Sequence, residues 1–324
     1  MSVCRFLVFS WFGCLLFVTQ VASAQLNFGV VQGRIAEGTV ERSVVGKVNP
    51  IRIGTSLGLV VPVSVNGSKP TWWVTDTGGP ICLIDPSFSK KLGLQADSNV
   101  GRFPMTIVND FQVGNFRCDG VACAVRSIEA FKSLALMNEG GTLEKTGSIG
   151  VNLLARYGGL INCRTQQIFF SPSGNLGMSR QKYEQMGYTY VPMILTPGNR
   201  LEVTGALGGK ELKLFLDTGA FSSTLDDSIR NELKLPVRAG GAVNYPFVND
   251  KKGTKYSYAT ATDFKVGTYD AKGARLGFQD LSFLNSGSTR GFAGFLAMDF
   301  LFYRSAIIDV GGRALYLKEY SRAR

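Results

Sequence analysis

The residues able to do chemistry in this chain come as a pair. Asp76-Thr77-Gly78 and Asp217-Thr218-Gly219 each close an apolar run, WWVTDTGG at 72–79 and ELKLFLDTGA at 211–220, and lie 141 residues apart. A single Asp-Thr-Gly arises by chance about once in five thousand positions and ordinarily marks a turn. Two at the ends of matching strands can instead bring two carboxyl groups together. Hydrolysis of an amide without a covalent intermediate needs one group to take a proton from water and another to protonate or polarise the carbonyl. Two negative charges about 3 Å apart, at an effective dielectric near 20, repel by ~5 kcal/mol, or several pKa units. Such a pair keeps one proton between its members, so identical residues take different roles. Asp76 and Asp217 are therefore the candidate general base and general acid around an attacking water, with either one open to be the ionised member. Gly78 and Gly219 leave space for backbone amides to approach the carboxyls.

The elements that must position the two loops are themselves duplicated. Val65-Asn66-Gly67 faces Ala206-Leu207-Gly208, and Asp85 faces Asp226, at the same offset as the loops. FQVGNF at 111–116 resembles FKVGTY at 264–269, and GSIGVNLLARYGGLINCRTQQIFF at 147–170 lies over GFLAMDFLFYRSAIIDVGGRALYL at 294–317 without a gap. Landmarks in one order make the chain an internal duplication whose unit is long enough to be a lobe with its own core. Valine, threonine and aromatic residues crowd short runs broken by glycine and asparagine, so the class is mostly β.

An apolar strand running into Asp-Thr-Gly, followed by Ser148-Ile149-Gly150 and a second, fused copy, resembles the aspartic protease superfamily over roughly residues 51–320. The short lobes and the MDFL-like tail are similar to its retropepsin-like branch, and the tandem arrangement to its pepsin-like members. The resemblance implies a bilobal fold, two homologous β-barrel-like lobes with a cleft between them, and an aspartic endopeptidase acting on polypeptide. It also implies that Thr77 and Thr218 bond across between the loops. Two positions depart from the pattern: Gly79 replaces the usual Ser, Thr or Ala, and Ala297 stands where Gly150 stands in the first lobe. A non-catalytic pepsin-fold module binding a peptide or cell-wall ligand is the alternative, and a basic adhesion protein a third reading.

Composition narrows the field. The chain has no histidine, which excludes Ser-His-Asp and Cys-His hydrolysis and histidine-ligated zinc. No Cys-x-x-Cys occurs, so neither a metal nor a cofactor is expected. The net charge of +11 comes from scattered lysines and arginines, with no run longer than Lys90-Lys91 or Lys251-Lys252, so no nucleic acid partner is expected.

The expected organisation is a signal peptide at 1–24, ending in Ala22-Ser23-Ala24, then an arm at 25–50, which by resemblance joins a sheet beneath both lobes. A first lobe at 51–171, a connector at 172–190 and a second lobe at 191–324 follow. The mature chain is expected to be secreted or periplasmic, to lack an integral membrane segment, and to be a monomer with an intramolecular pseudo-dimer. Cleavage of the signal leaves Cys82, Cys118, Cys123 and Cys163, with a Cys118–Cys123 bridge and buried free thiols both open. Asp85 and Asp226 read as helix N-caps. Trp72 and Trp73 should alternate, one into the core and one toward surface or cleft. Asn109-Asp110 and Asn249-Asp250 read as hairpin turns able to form flaps, with Phe103 and Tyr245 as the aromatics nearest substrate.

Overall fold

The computed structural model describes residues 44–45, 47–48, 51–52, 55–56, 59–96, 98–100, 103–114, 116–128, 145–165, 167–171, 178–243, 254–285 and 290–319. The signal segment, Tyr245 and Asn249-Asp250 lie outside them. The fold is mostly β, with two ten-stranded sheets and one of six strands among the described residues.

Each lobe is built on the same three strands. In the first they are β1 (Leu59–Val65), β2 (Thr71–Thr75) and β3 (Lys145–Ile149). In the second they are β4 (Leu201–Leu207), β5 (Lys210–Asp217) and β6 (Gly294–Ala297). Alternation decides β1 and β4: Val61, Val63 and Val65, like Leu201, Val203 and Leu207, point inward, whereas Glu202 and Thr204 point outward. The strands entering the two aspartate loops are each flanked by a parallel partner from the closing segment. β3 pairs with β2, and β6 with β5, where Asp217 faces Ala297.

Short helices bracket the loops: α1 (Pro86–Lys91), α2 (Val151–Arg156), α3 (Arg180–Gln185), α4 (Asp227–Leu233) and α5 (Met298–Tyr303). The caps are as the sequence suggests. Asp85 accepts from the Ser87 amide and Asp226 from the Ser228 amide, both at 3.0 Å, and Pro86 opens α1. In the connector, α3 is capped by Ser179, and Gly187 follows it with φ +83°.

The six-stranded sheet ties the halves together. Leu160–Asn162 pairs antiparallel with its own counterpart Ile307–Asp309, and Ile161 faces Ile308, the same position of the duplicated segment. The pseudo-two-fold axis therefore passes between those isoleucines. Val44–Val45, within the arm, adds an edge strand beside Gln167–Phe169.

Two local expectations come out differently. Trp72 and Trp73 do point to opposite faces, but both are buried. Trp73 meets Phe111 edge-on in the main core, and Trp72 joins a small cluster with Val60, Val74 and Ile128, against which Phe221 of the second lobe packs. Asn109-Asp110 is a turn but not of a hairpin. The strand before it, Phe103–Val108, pairs with Val121–Val125, while the strand after it, Phe111–Val113, pairs with β1. Asp110, at φ 47°, turns the chain from one pairing to the other. All four cysteines are free and buried, with Cys82 opposite Cys123 on neighbouring strands.

Candidate active site

Asp76 and Asp217 stand at the ends of β2 and β5, and their loops interlock. The Thr77 amide donates to Thr218 Oγ1 at 3.0 Å, and the Thr218 amide donates to Thr77 Oγ1 at 2.9 Å. Each hydroxyl passes its own proton further into the opposite lobe, Thr77 Oγ1 to the Leu216 carbonyl at 2.9 Å and Thr218 Oγ1 to the Thr75 carbonyl at 2.6 Å. A hydroxyl has one proton to give and lone pairs to accept, so threonine satisfies both ends where valine would satisfy neither.

The clamp presses the carboxyls together. Asp76 Oδ1 accepts from the Gly79 amide, and Asp217 Oδ1 from the Gly219 and Ala220 amides, all at 2.9 Å. Each carboxyl reaches over the opposite loop, Asp217 against Gly78 and Asp76 against Gly219, so the two stand close together. The glycines are required by space. A Cβ on Gly219 would lie 2.6 Å from Asp76 Oδ1, and one on Gly78 would overlap the Asp217 carboxyl.

Burial is the main electrostatic influence. It pushes Asp76 up from the usual carboxylate range to about 8, with the neighbouring charge of Asp217 adding to the rise. Asp217 is also raised by burial, and the Arg200 guanidinium is the chief influence pulling it back.

A second layer holds the loops from beneath, again in matched form. The Gly150 amide donates to Cys82 Sγ at 3.3 Å and the Ala297 amide to Ser223 Oγ at 2.9 Å. The Cys82 amide donates to Asn152 Oδ1 and the Ser223 amide to Asp299 Oδ1, both at 2.8 Å. Asp299 is itself raised by burial. The two departures from the family pattern fit this frame. A Cβ at 79 would meet Asp76 Oδ2 at 2.8 Å, so glycine suits the first loop. At 150 a Cβ would strike the Ile81 backbone, whereas the Ala297 methyl packs with Phe215, Leu281 and Phe295.

The structure thus brings together Asp76, Thr77, Gly78, Asp217, Thr218 and Gly219. Phe103 starts the return strand of a short hairpin, half-buried, with Arg126 Cζ 4.6 Å from its ring centre. Sequence reasoning missed Ser223 and Asp299, although Ser223 stands at the loops' own offset from Cys82. It also missed Arg200, a lone arginine after Thr196-Pro197-Gly198-Asn199 whose surroundings no local pattern reveals. Among the described residues no cluster could hold a metal ion, and no helix is long and apolar enough to cross a membrane.

A family model described as aspartyl protease matches residues 61–153 and 203–300, one match in each half. The chain belongs to the aspartyl protease family. This aspartyl protease family member is also similar to solved structures. A retropepsin-like aspartic protease from Rickettsia conorii shares 13% identity over 40% of this chain and 91% of that one, with a TM-score of 0.29. Basic 7S globulin from soybean shares 9% identity over 86% of this chain and 95% of that one, with a TM-score of 0.42. No curated protein matches the family member.

Proposed function

We propose that the protein is an exported aspartic endopeptidase that hydrolyses polypeptides with a water activated between Asp76 and Asp217. The observation that carries this reading is the close approach of two carboxyls from opposite lobes, each lying against the other's loop glycine and held by the reciprocal Thr77–Thr218 bonds. One carboxylate takes a proton from water as its oxygen attacks the scissile carbonyl carbon. The partner carboxylic acid gives its proton to the carbonyl oxygen. Collapse of the tetrahedral intermediate then breaks the C–N bond, with a proton passing to the leaving nitrogen. Export is proposed on the apolar segment and small-residue site at 1–24. A monomer is proposed because one chain supplies both carboxyls.

The test is cleavage of a mixed peptide library and of unfolded protein from pH 3 to 8, beside Asp76→Asn and Asp217→Asn. Cleavage by the parent, blocked by a statine-type inhibitor and reduced in each variant by on the order of a thousandfold, is expected. Equal cleavage by both variants would remove the pair from the reaction. Tight peptide binding without turnover at any pH would make the protein a binding module.

A further inference from the structure

The two loops are so nearly equivalent that symmetry alone would leave Asp76 and Asp217 interchangeable. One cation breaks the equivalence. Arg200 closes the turn that leads into β4, and three hydrogen bonds hold the turn. The Asn199 amide donates to the Thr196 carbonyl at 2.9 Å, the Thr196 amide to the Arg200 carbonyl at 2.9 Å, and the Arg200 amide to Thr196 Oγ1 at 3.0 Å. Asn199, at φ 55°, reaches across the lobes, its Nδ2 donating to the Pro80 carbonyl at 3.2 Å, four residues beyond Asp76. This anchoring fixes where the arginine side chain starts. Its Cζ lies 5.4 Å from the ring centre of Phe215, which precedes Asp217 by two residues and shares its face of β5.

The first lobe carries no cation at the matching sequence position. Strand register pairs Val60 with Val74 and Glu202 with Phe215, which makes position 58 the counterpart of 200, and position 58 is glycine. We infer that Arg200 makes the carboxyl pair unequal, so that Asp217 carries the negative charge and acts as base while Asp76 holds the proton and acts as acid. Arg200 is a positioning residue here: it acts on the reaction through the two carboxyls.

The Arg200 guanidinium acts on both members of the pair, drawing each carboxyl back toward the ionised form. Asp299, beneath the second loop, is occupied by the Ser223 amide and hydroxyl and by the Phe300 amide. The attraction of Arg200 is stronger toward Asp217 than toward Asp76. An arginine keeps its charge throughout the working range, so its bias does not titrate away.

The assignment of roles rests on the proposed hydrolysis, but the assignment of charge can be read without turnover. Protein labelled with 13C at aspartate carboxyls is titrated by NMR, the two signals being identified through Asp76→Asn and Asp217→Asn. Asp217 is expected to ionise at lower pH than Asp76. Arg200→Met should raise that first ionisation by about one to three pH units, and Arg200→Lys should keep part of the separation. In an active enzyme the acidic limb of the kcat/KM profile should move by the same amount. Ionisation of Asp76 first, or an unmoved first step in Arg200→Met, would overturn the inference. The expected order in a protein that cleaves nothing would overturn the proposed function alone. If Arg200→Met does not fold, the parent order and the Arg200→Lys shift decide the matter.

Discussion

Thr77 and Thr218 exchange backbone-to-hydroxyl hydrogen bonds across the pseudo-two-fold axis, at 3.0 and 2.9 Å, and both are fully buried. Neither lobe can complete its own aspartate loop. The hydroxyl that satisfies one loop's amide belongs to the other half of the chain, so folding of the lobes and construction of the site are one event.

Thr77→Val or Thr218→Val would therefore strand both an amide and a carbonyl of the opposite lobe. An unsatisfied buried group costs about 1–3 kcal/mol, so each variant should lose about 2–4 kcal/mol in urea unfolding. Serine keeps the hydroxyl, and Thr218→Ser should recover most of the loss. Equal damage from valine and serine would show that packing of the methyl, not the bonds, holds the loops.

Gly219→Ala would set a methyl 2.6 Å from Asp76 Oδ1. Relief requires the Asp76 carboxyl to move, so peptide cleavage should fall by on the order of a hundredfold or more, through kcat rather than KM. Stability should change by no more than about 1–3 kcal/mol. Retained kcat would mean that the carboxyl has room to spare.

Asp76 is held at about 8 in the fold, above its ordinary 3.8. Its neutral form is the one the fold favours, so this contribution to stability is complete below 3.8 and is lost as pH rises toward 8. Asp76→Asn cannot ionise and escapes the loss. The variant should be more stable than the parent at pH 7 by on the order of a few kcal/mol, with the difference shrinking toward pH 4. Thermal unfolding across that range checks the sign. A gap that widens on acidification would contradict it.

The same ionisation limits activity on the alkaline side. Once Asp76 loses its proton both carboxyls are charged and no acid remains for the carbonyl oxygen, so kcat/KM should decline near pH 8. A profile already falling between pH 4 and 5 would show that burial does not raise the pair as described.

Ser223→Ala removes the acceptor of the Ala297 amide and a donor to Asp299. A loss of about 1–3 kcal/mol is expected in denaturant unfolding. Because Cys82 does the matching work in the first lobe with a thiol, Ser223→Cys should be milder. If cysteine proves as damaging as alanine, the two lobes are not built alike beneath their loops.

Much of this was legible in the linear order of residues. Two Asp-Thr-Gly copies at one offset, with Gly150 and Ala297 in ungapped closing segments, determine the duplication, the mostly β class and the carboxyl pair, because covalent spacing and side-chain period are local properties. Asp85 and Asp226 declare themselves as caps for the same reason: the amides they satisfy are two residues away. What only the tertiary structure decided depends on partners distant in the chain. Trp72 could be placed on the opposite face from Trp73, but the cluster that buries it is completed by Phe221 from the other lobe. Asn109-Asp110 shows a turn in its residues, and only pairing of the flanking strands with different neighbours reveals a corner. Arg200 is the clearest case. Its type says cation, but its influence on Asp217 follows from a turn pinned across the lobes, a long-range Coulomb effect that residue order does not encode.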